Sequence, residues 1–391
     1  MTRPRNAIAL GAAVTFKTGK LDSNAATPNG RYPFFTCSQT TLRTETFSFD
    51  TEAVLLAGNN ANGIYPLKYF KGQFDAYQRT YVIRSKDTAE LDNRYLFYAL
   101  EPQLELLKRI STGAATQFLT LTILNDILIP KPPIQEQRRI ASILSAYDDL
   151  IENNTRRIKI LEEMAQMLYR EWFVNFRFPG HQKVKMVESE LGSIPEGWRV
   201  RNLFDVAQVS YGFPFKSKLF TVGGEGVPVI RIRDILSDAS NTFTTESVDS
   251  KYIVKNGDLL VGMDGDFHMG KWAGGHAYLN QRVVRFRPNG NLSPYFLFLA
   301  LKAPINHFDS TIVGTTVAHL SDRDLRSISI LVPSDDILKR SSAILDPLFG
   351  LEITLKLKTA NLRTTRDFLL PKLISGEVPV EAAAETMEQT A

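Results

Sequence analysis

A single cysteine, Cys37, in 391 residues excludes an internal disulfide and any cysteine-cluster zinc site. That scarcity suits a reducing compartment, so a cytoplasmic location is expected. No apolar run reaches the roughly 18 residues needed to cross a bilayer, and the opening MTRPRNAIALGAA lacks a hydrophobic signal core. Catalytic signatures are missing too: there is no G-x-S-x-G elbow and no H-E-x-x-H. Adenine methyltransferases carry an Asn/Asp-Pro-Pro-aromatic motif, but here the only Pro-Pro, Pro132-Pro133, opens a helix. Gly265 to Lys271 has phosphate-loop spacing, yet Trp272 stands where a metal-binding Ser or Thr is required. His268 and His276 have neither helical i, i+4 spacing nor an accompanying cysteine. No catalytic residue, metal or cofactor is therefore assigned to this chain, which reads as a binder and not a catalyst.

Charge is sparse but uneven. The net charge of +4 includes GEVPVEAAAETMEQTA, a final stretch with four Glu and no Lys or Arg, so without it the body stands at +8. A basic body suits a polyanionic partner, although many proteins that never touch nucleic acid are equally basic.

What the chain has in plenty is itself. YLFYAL (Tyr95 to Leu100) returns 201 residues later as FLFLAL (Phe296 to Leu301). Ala76-Tyr-Gln-Arg79 before a strand signal matches Leu279-Asn-Gln-Arg282, and VLLAGNNANG (Val54 to Gly63) matches LLVGMDGDFHMG (Leu259 to Gly270). Downstream, STGAATQFLT leads to ILIPKPP as TIVGTTVAHLS leads to ISILVPS, and each copy ends in a helical stretch. Similar pairs in one order at one offset indicate duplication. The expected organisation is globule 1–132, helix 133–178, linker 179–194, globule 195–333, helix 334–374 and an acidic, unstructured tail 375–391. Short runs such as TFSFD, AVLLAG, TYVIR, VPVIRI and RVVRF read as strands, and RYLFYALEPQLELLKRI reads as helical. The fold class is therefore α+β, one module used twice.

The first helix carries a heptad seam at Ile140, Leu144, Tyr147, Ile151, Asn154, Ile158, Leu161, Ala165, Leu168 and Trp172. About 41 residues at 1.5 Å each make a rod of roughly 60 Å, and such a stripe needs a partner helix. The second helix offers Ile344, Leu348, Leu351, Leu355, Leu362 and Leu369, with Lys358 and Thr365 as polar interruptions, while Pro347 and Pro371 should kink or restart it. The expected architecture is two α+β globules separated by two long antiparallel coiled-coil helices related by a pseudo-twofold internal repeat. Asn154 either fixes register as a buried amide or lies at a wet edge. The aromatic run Tyr169 to Phe176 either docks a partner or caps the packing of rod on globule.

Taken together, PIQEQRRIASILSAYDDLIENNTRRIKILEEMAQMLYREWFVNF, LGSIPEGWRV, VPVIRIRDI, GDLLVGMDG and RDFLLPKLISGEV resemble the specificity subunits of type I restriction-modification systems. The resemblance covers nearly the whole chain. It implies a non-catalytic subunit whose two target recognition domains each read half of a split double-stranded DNA sequence, with the helices setting the gap. It also implies two methyltransferase subunits that bind S-adenosylmethionine and methylate adenine N6, and restriction subunits that translocate with ATP and Mg; those cofactors belong to the partners, and the flipped base enters a partner's pocket.

Specific binding needs cations on phosphates and amides, Arg or hydroxyls on base edges. The first-domain candidates are Asn59, Asn60, Asn62, Lys68, Lys71, Gln78, Arg79 and, from the Ser111 to Gln117 loop, Ser111, Thr112, Thr116 and Gln117. In the second domain they are Asp264, His268, Lys271, Gln281, Arg282, Thr315 and Thr316, with Lys17, Lys20, Lys216 and Lys218 as phosphate candidates. Each has the alternative of an ordinary solvated loop residue. Two other readings of the chain remain open at this stage: a nuclease or methyltransferase with unrecognised motifs, and a coiled-coil scaffold joining two protein-binding domains.

Overall fold

The computed structural model describes residues 6–60, 63–111, 117–311 and 318–383. The chain divides into two units, Met1–Ile151 with Leu362–Ala391, and Glu152–Asn361. The division falls inside the two long helices, so each helix contributes one part to each unit.

Unit 1 is built on a six-stranded sheet. Its strands are β1 (Val14–Thr18), β2 (Tyr32–Phe35), β3 (Leu42–Thr44), β4 (Phe49–Ala57), β5 (Leu67–Ala76) and β6 (Thr80–Ser85), in the order β1-β6-β4-β5-β2-β3. All neighbours are antiparallel except β2 and β5. Helix α1 (Asn93–Leu100) starts where Asp92 accepts hydrogen bonds from the amides of Arg94 and Tyr95, both at 2.9 Å. It buries most of YLFYAL against Val54, Leu56 and Ile83 of the sheet. A 3-10 turn joins it to α2 (Leu104–Ile110).

Unit 2 repeats this plan with one interruption. Here β7 (Ala207–Tyr211), β10 (Leu259–Gly262), β11 (Met269–Lys271) and β13 (Val283–Pro288) form a sheet in the order β7-β13-β10-β11. A second sheet places β12 (Ala277–Leu279) beside β8 (Val227–Ile230), which pairs in turn with β9 (Phe243–Thr244). The pair β8 and β12 is parallel, as β2 and β5 are. In unit 1 the single strand β5 spans what β11 and β12 share in unit 2, where Trp272 to His276 breaks the strand. Helix α3 (Pro294–Thr311) buries FLFLAL as α1 buries YLFYAL.

One close approach recurs. A Cβ at Gly19, just after β1, would stand 1.7 Å from the carbonyl oxygen of Ala76, and one at Gly212, just after β7, would stand 1.9 Å from that of Asn280. Glycine is the residue that lets the backbones pass there.

The first long helix spans Ile134–Tyr169 and continues into a single π-helical turn, Arg170–Val174. The expected helix to residue 178 is thus shorter than read, because the aromatics after Tyr169 turn into the domain: Phe173 packs on Trp198 and Phe296. Tyr169, Trp172 and Phe176 pack on the same core, as the capping reading supposed. On the seam, Ile140, Leu144, Tyr147, Ile151, Leu161 and Ala165 are buried, with Ile158 and Leu168 half-buried. Asn154 is 7% exposed, so it lies within the seam and not at a wet edge.

The second long helix runs unbroken over Asp335–Ser375. The expectation that Pro347 and Pro371 restart it fails, and both prolines face solvent, where water can satisfy the carbonyls they leave unpaired. Its seam is also displaced by one residue at first. Ile344 and Leu351 are exposed, Leu348 is half-buried, and Leu345, Phe349, Glu352 and Leu355 are buried instead. Thr359 is the buried polar residue beyond them, while the expected interruption Lys358 is exposed. Leu362 and Leu369 lie where the heptad put them.

Within unit 1 the two helices run antiparallel, since Asp148 pairs with Arg366 at 2.5 Å whereas the earlier Pro133 and Glu136 line one cavity with the later Leu373 and Ile374. Tyr98 of α1 donates to the same Asp148 at 2.6 Å. The expected unstructured tail needs correction up to residue 383: residues 380–383 are helical, and Val380 and Ala383 are buried in the unit 1 core. Small apolar side chains among the glutamates supply that anchor. Residues 384–391 lie outside the described ones.

Candidate nucleic-acid interface

In each unit three chain segments meet at corresponding places. In unit 1 the strand β4 is followed by Gly58, whose amide donates to the carbonyl of Arg79 and whose carbonyl accepts from the amide of Leu119, both at 2.8 Å. In unit 2 Met263 does the same with Arg282 at 2.9 Å and Leu320 at 2.8 Å. The next residue pairs across a short ladder, Asn59 with Phe118 and Asp264 with His319. A capped helical turn follows in both copies, with Thr120 and Ser321 as the N-caps. The backbone scaffold is shared, but the side chains it presents differ.

In unit 1 the guanidinium carbon of Arg79 lies 5.6 Å from the ring centre of Phe118, a cation-π geometry. Asn59 accepts a hydrogen bond from Cys37 Sγ at 2.9 Å. The neighbouring Ser38 carbonyl accepts from Lys68 Nζ at 3.0 Å, and burial lowers the Lys68 pKa. In unit 2 Asp264 binds Arg282 Nε at 3.2 Å and Nη1 at 3.4 Å, and receives His319 Nδ1 at 2.6 Å. Arg282 keeps 53% of its side chain exposed.

Several residues singled out from sequence fall together here: Asn59, Asn60, Gln78, Arg79 and Gln117 in unit 1, and Asp264, Gln281 and Arg282 in unit 2. Gln78 and Gln281 are exposed and occupy the same place in their turns, their amides bonded to Leu21 and Phe213 carbonyls. Gln117 is drawn inward, accepting from Ser111 Oγ at 3.1 Å. His268 is half-buried, and its carbonyl holds the Gly262 amide. Lys17, Lys20, Lys216 and Lys218 are exposed, as is Lys71 on β5, opposite Glu52 on β4. Asn62, Thr112, Thr116, Thr315 and Thr316 lie outside the described residues.

Lys271 is a correction. It is 3% exposed and its ammonium contacts Glu352 Oε1 at 2.7 Å and Glu162 Oε1 at 3.0 Å, over the rings of Tyr295 and Phe298 at 4.6 Å. Buried against both long helices within unit 2, it cannot reach a phosphate. The register explains its role: Lys271 faces Leu259 where Tyr69 faces Val54, and in unit 1 Arg94 covers Tyr69 at 5.2 Å. Cation and aromatic have exchanged places between strand and helix: Tyr69 on β5 and Arg94 on α1 in one copy, Lys271 on β11 and Tyr295 on α3 in the other.

Phe118 and His319 escaped the sequence reading. They sit one to three residues beyond the loop positions it chose, just before the Thr120 and Ser321 caps, and aligning those caps would have found them.

The family model for the type I restriction modification DNA specificity domain matches residues 10–163 and again 195–361. The chain belongs to this family. Its members supply DNA specificity and are not the catalytic subunits. The MjaIX type I restriction enzyme specificity subunit of Methanocaldococcus jannaschii is 28% identical over 306 residues, covering 74% of this chain and 70% of the relative. The EcoDI specificity subunit of Escherichia coli is 30% identical over 225 residues, or 52% and 49% of the two chains. The crystal structure of a type I restriction-modification S subunit from M. genitalium matches the fold at a TM-score of 0.68 and 20% identity, covering 95% and 99%. Each specificity domain thus carries one of the two clusters. Among the described residues no helix is long and apolar enough to cross a membrane, and no group of three His, Cys, Asp or Glu side chains is placed to hold a metal.

Proposed function

We propose that the chain is the sequence-specificity subunit of a type I restriction-modification complex, recognising a split and asymmetric target in double-stranded DNA. Domain 1 reads one half through the cluster of Asn59, Arg79 and Phe118, and domain 2 reads the other through Asp264, Arg282 and His319. The observation that supports this best is the pair of matched scaffolds with unlike side chains, because one backbone design with two surfaces suits two different half-sites. The long helices fix the unspecified gap. Two methyltransferase subunits, which hold S-adenosylmethionine, and the ATP- and Mg-dependent restriction subunits assemble on it, in the cytoplasm.

Affinity for a duplex carrying the target should fall linearly with salt on logarithmic axes while remaining well above affinity for scrambled DNA. Titration of the chain with its methyltransferase subunits against both duplexes checks this. Equal affinity for the two duplexes at every salt concentration would leave a protein-binding scaffold as the better reading. Methyl transfer or cleavage by the chain alone with DNA, S-adenosylmethionine and Mg²⁺ would make it an enzyme instead.

A further inference from the structure

Arg282, though 53% of its side chain is exposed, is held from behind. Asp264 Oδ1 accepts a hydrogen bond from its Nη1 at 3.4 Å while Oδ2 lies 3.2 Å from its Nε, and Asp264 is itself held by His319 Nδ1 at 2.6 Å. With one Nη1 hydrogen taken by the carboxylate, the other Nη1 hydrogen and those of Nη2 remain to form a fork. Such a fork matches O6 and N7 of guanine in the major groove. Phosphates, which accept from many directions, need no such alignment; a side chain that reads a base gains from having its rotamer locked in advance. Among the described residues the equivalent Arg79 has no such lock, for Asn59 stands in the place of Asp264 and Phe118 in that of His319. It rests on an aromatic face instead.

We infer that Arg282 reads a guanine in the half-site of domain 2, with Asp264 and His319 as the positioning residues that hold its fork, and that domain 1 lacks this contact. The inference rests on the reading of the chain as a DNA specificity subunit and assigns base chemistry within it. His319 also keeps its second ring nitrogen free of Asp264, on a side chain 48% exposed, beside the fork. Replacing Asp264 by Asn installs the residue that domain 1 carries, so the scaffold already accommodates it.

The test is the set of methylated adenines in cells whose chromosomal gene carries D264N or, separately, R282K, read by single-molecule sequencing. R282K keeps the charge and loses the fork. Either variant should lower the preference for guanine at one position of the second half-site by about 5- to 150-fold, the range one bidentate contact discriminates. The first half-site should be unchanged. A guanine retained at full preference in both variants, a second half-site with no guanine at all, or equal loosening of both half-sites overturns the inference. If D264N abolishes methylation altogether, R282K decides by the same criteria. Failure of the unaltered chain to yield any two-part motif would instead overturn the functional reading on which the inference rests.

Discussion

Replacing Lys271 by Met should destabilise unit 2 by about 3–5 kcal/mol, because it strands a buried carboxylate. Glu352 has no exposed surface, and its other oxygen already accepts from Tyr295 Oη at 2.6 Å. That hydroxyl cannot neutralise a charge, and the same burial, together with Glu352, raises the Tyr295 pKa. Replacing both members, as K271M with E352Q, removes the stranded charge along with the pair. The double variant should therefore lose much less than the sum of the single losses, since buried ion pairs can be exchanged for neutral groups at little cost. Urea unfolding of the two single variants and the double measures the coupling. Strict additivity would mean that the ammonium does not depend on Glu352. The consequence reaches recognition, because β11, through Lys271, ties the second specificity domain to Glu162 and Glu352 on the two long helices.

Lengthening both long helices by four residues should widen the gap in the recognised sequence by one or two base pairs. The insertions belong beside Asn154 in the first helix and beside Thr359 in the second, respectively eight and seven residues from Glu162 and Glu352, the two carboxylates that meet on Lys271. Four helical residues add about 6 Å, and a base pair rises about 3.4 Å. Four residues also make slightly more than one turn, so both seams stay nearly in phase. The half-sites themselves should keep their sequences, because neither cluster is touched. Sites of adenine methylation in cells carrying the insertions give the gap directly, and an unaltered gap would remove the helices from the measurement of target length.

The parts of the fold that followed from sequence were those set by periodicity. The seam from Ile140 to Ala165 could be read off because its apolar steps of three and four are unbroken save for Asn154. In the second helix the steps mislead, since Glu352 occupies the seam to meet Lys271, and only the partner strand explains a charge there. A search for apolar residues then chooses Leu351, one position away and exposed. Lys271 was misread for the reciprocal reason: its loop-like surroundings, Gly270 and Trp272, resemble an exposed turn, and nothing local reveals two carboxylates arriving from helices far along the chain. The recognition clusters were half legible. Duplication drew attention to Arg79 with Arg282 and to Asn59 with Asp264, because polar residues repeated at one offset stand out. Phe118 and His319 share no chemistry, so comparing the copies residue by residue passes over them; only the backbone ladder shows that they hold one position. The interruption that gives unit 2 β11 and β12 where unit 1 has β5 was hidden as well, because an interrupted strand keeps the same apolar pattern on either side.

Single-molecule sequencing of modified adenines in cells carrying the unaltered gene decides whether this chain sets a split DNA target. One target made of two unlike specified parts around a gap of constant length is expected, with a methylated adenine in each part and loss of both marks when the gene is deleted. A continuous target, two identical halves, or marks that persist without the gene would contradict it.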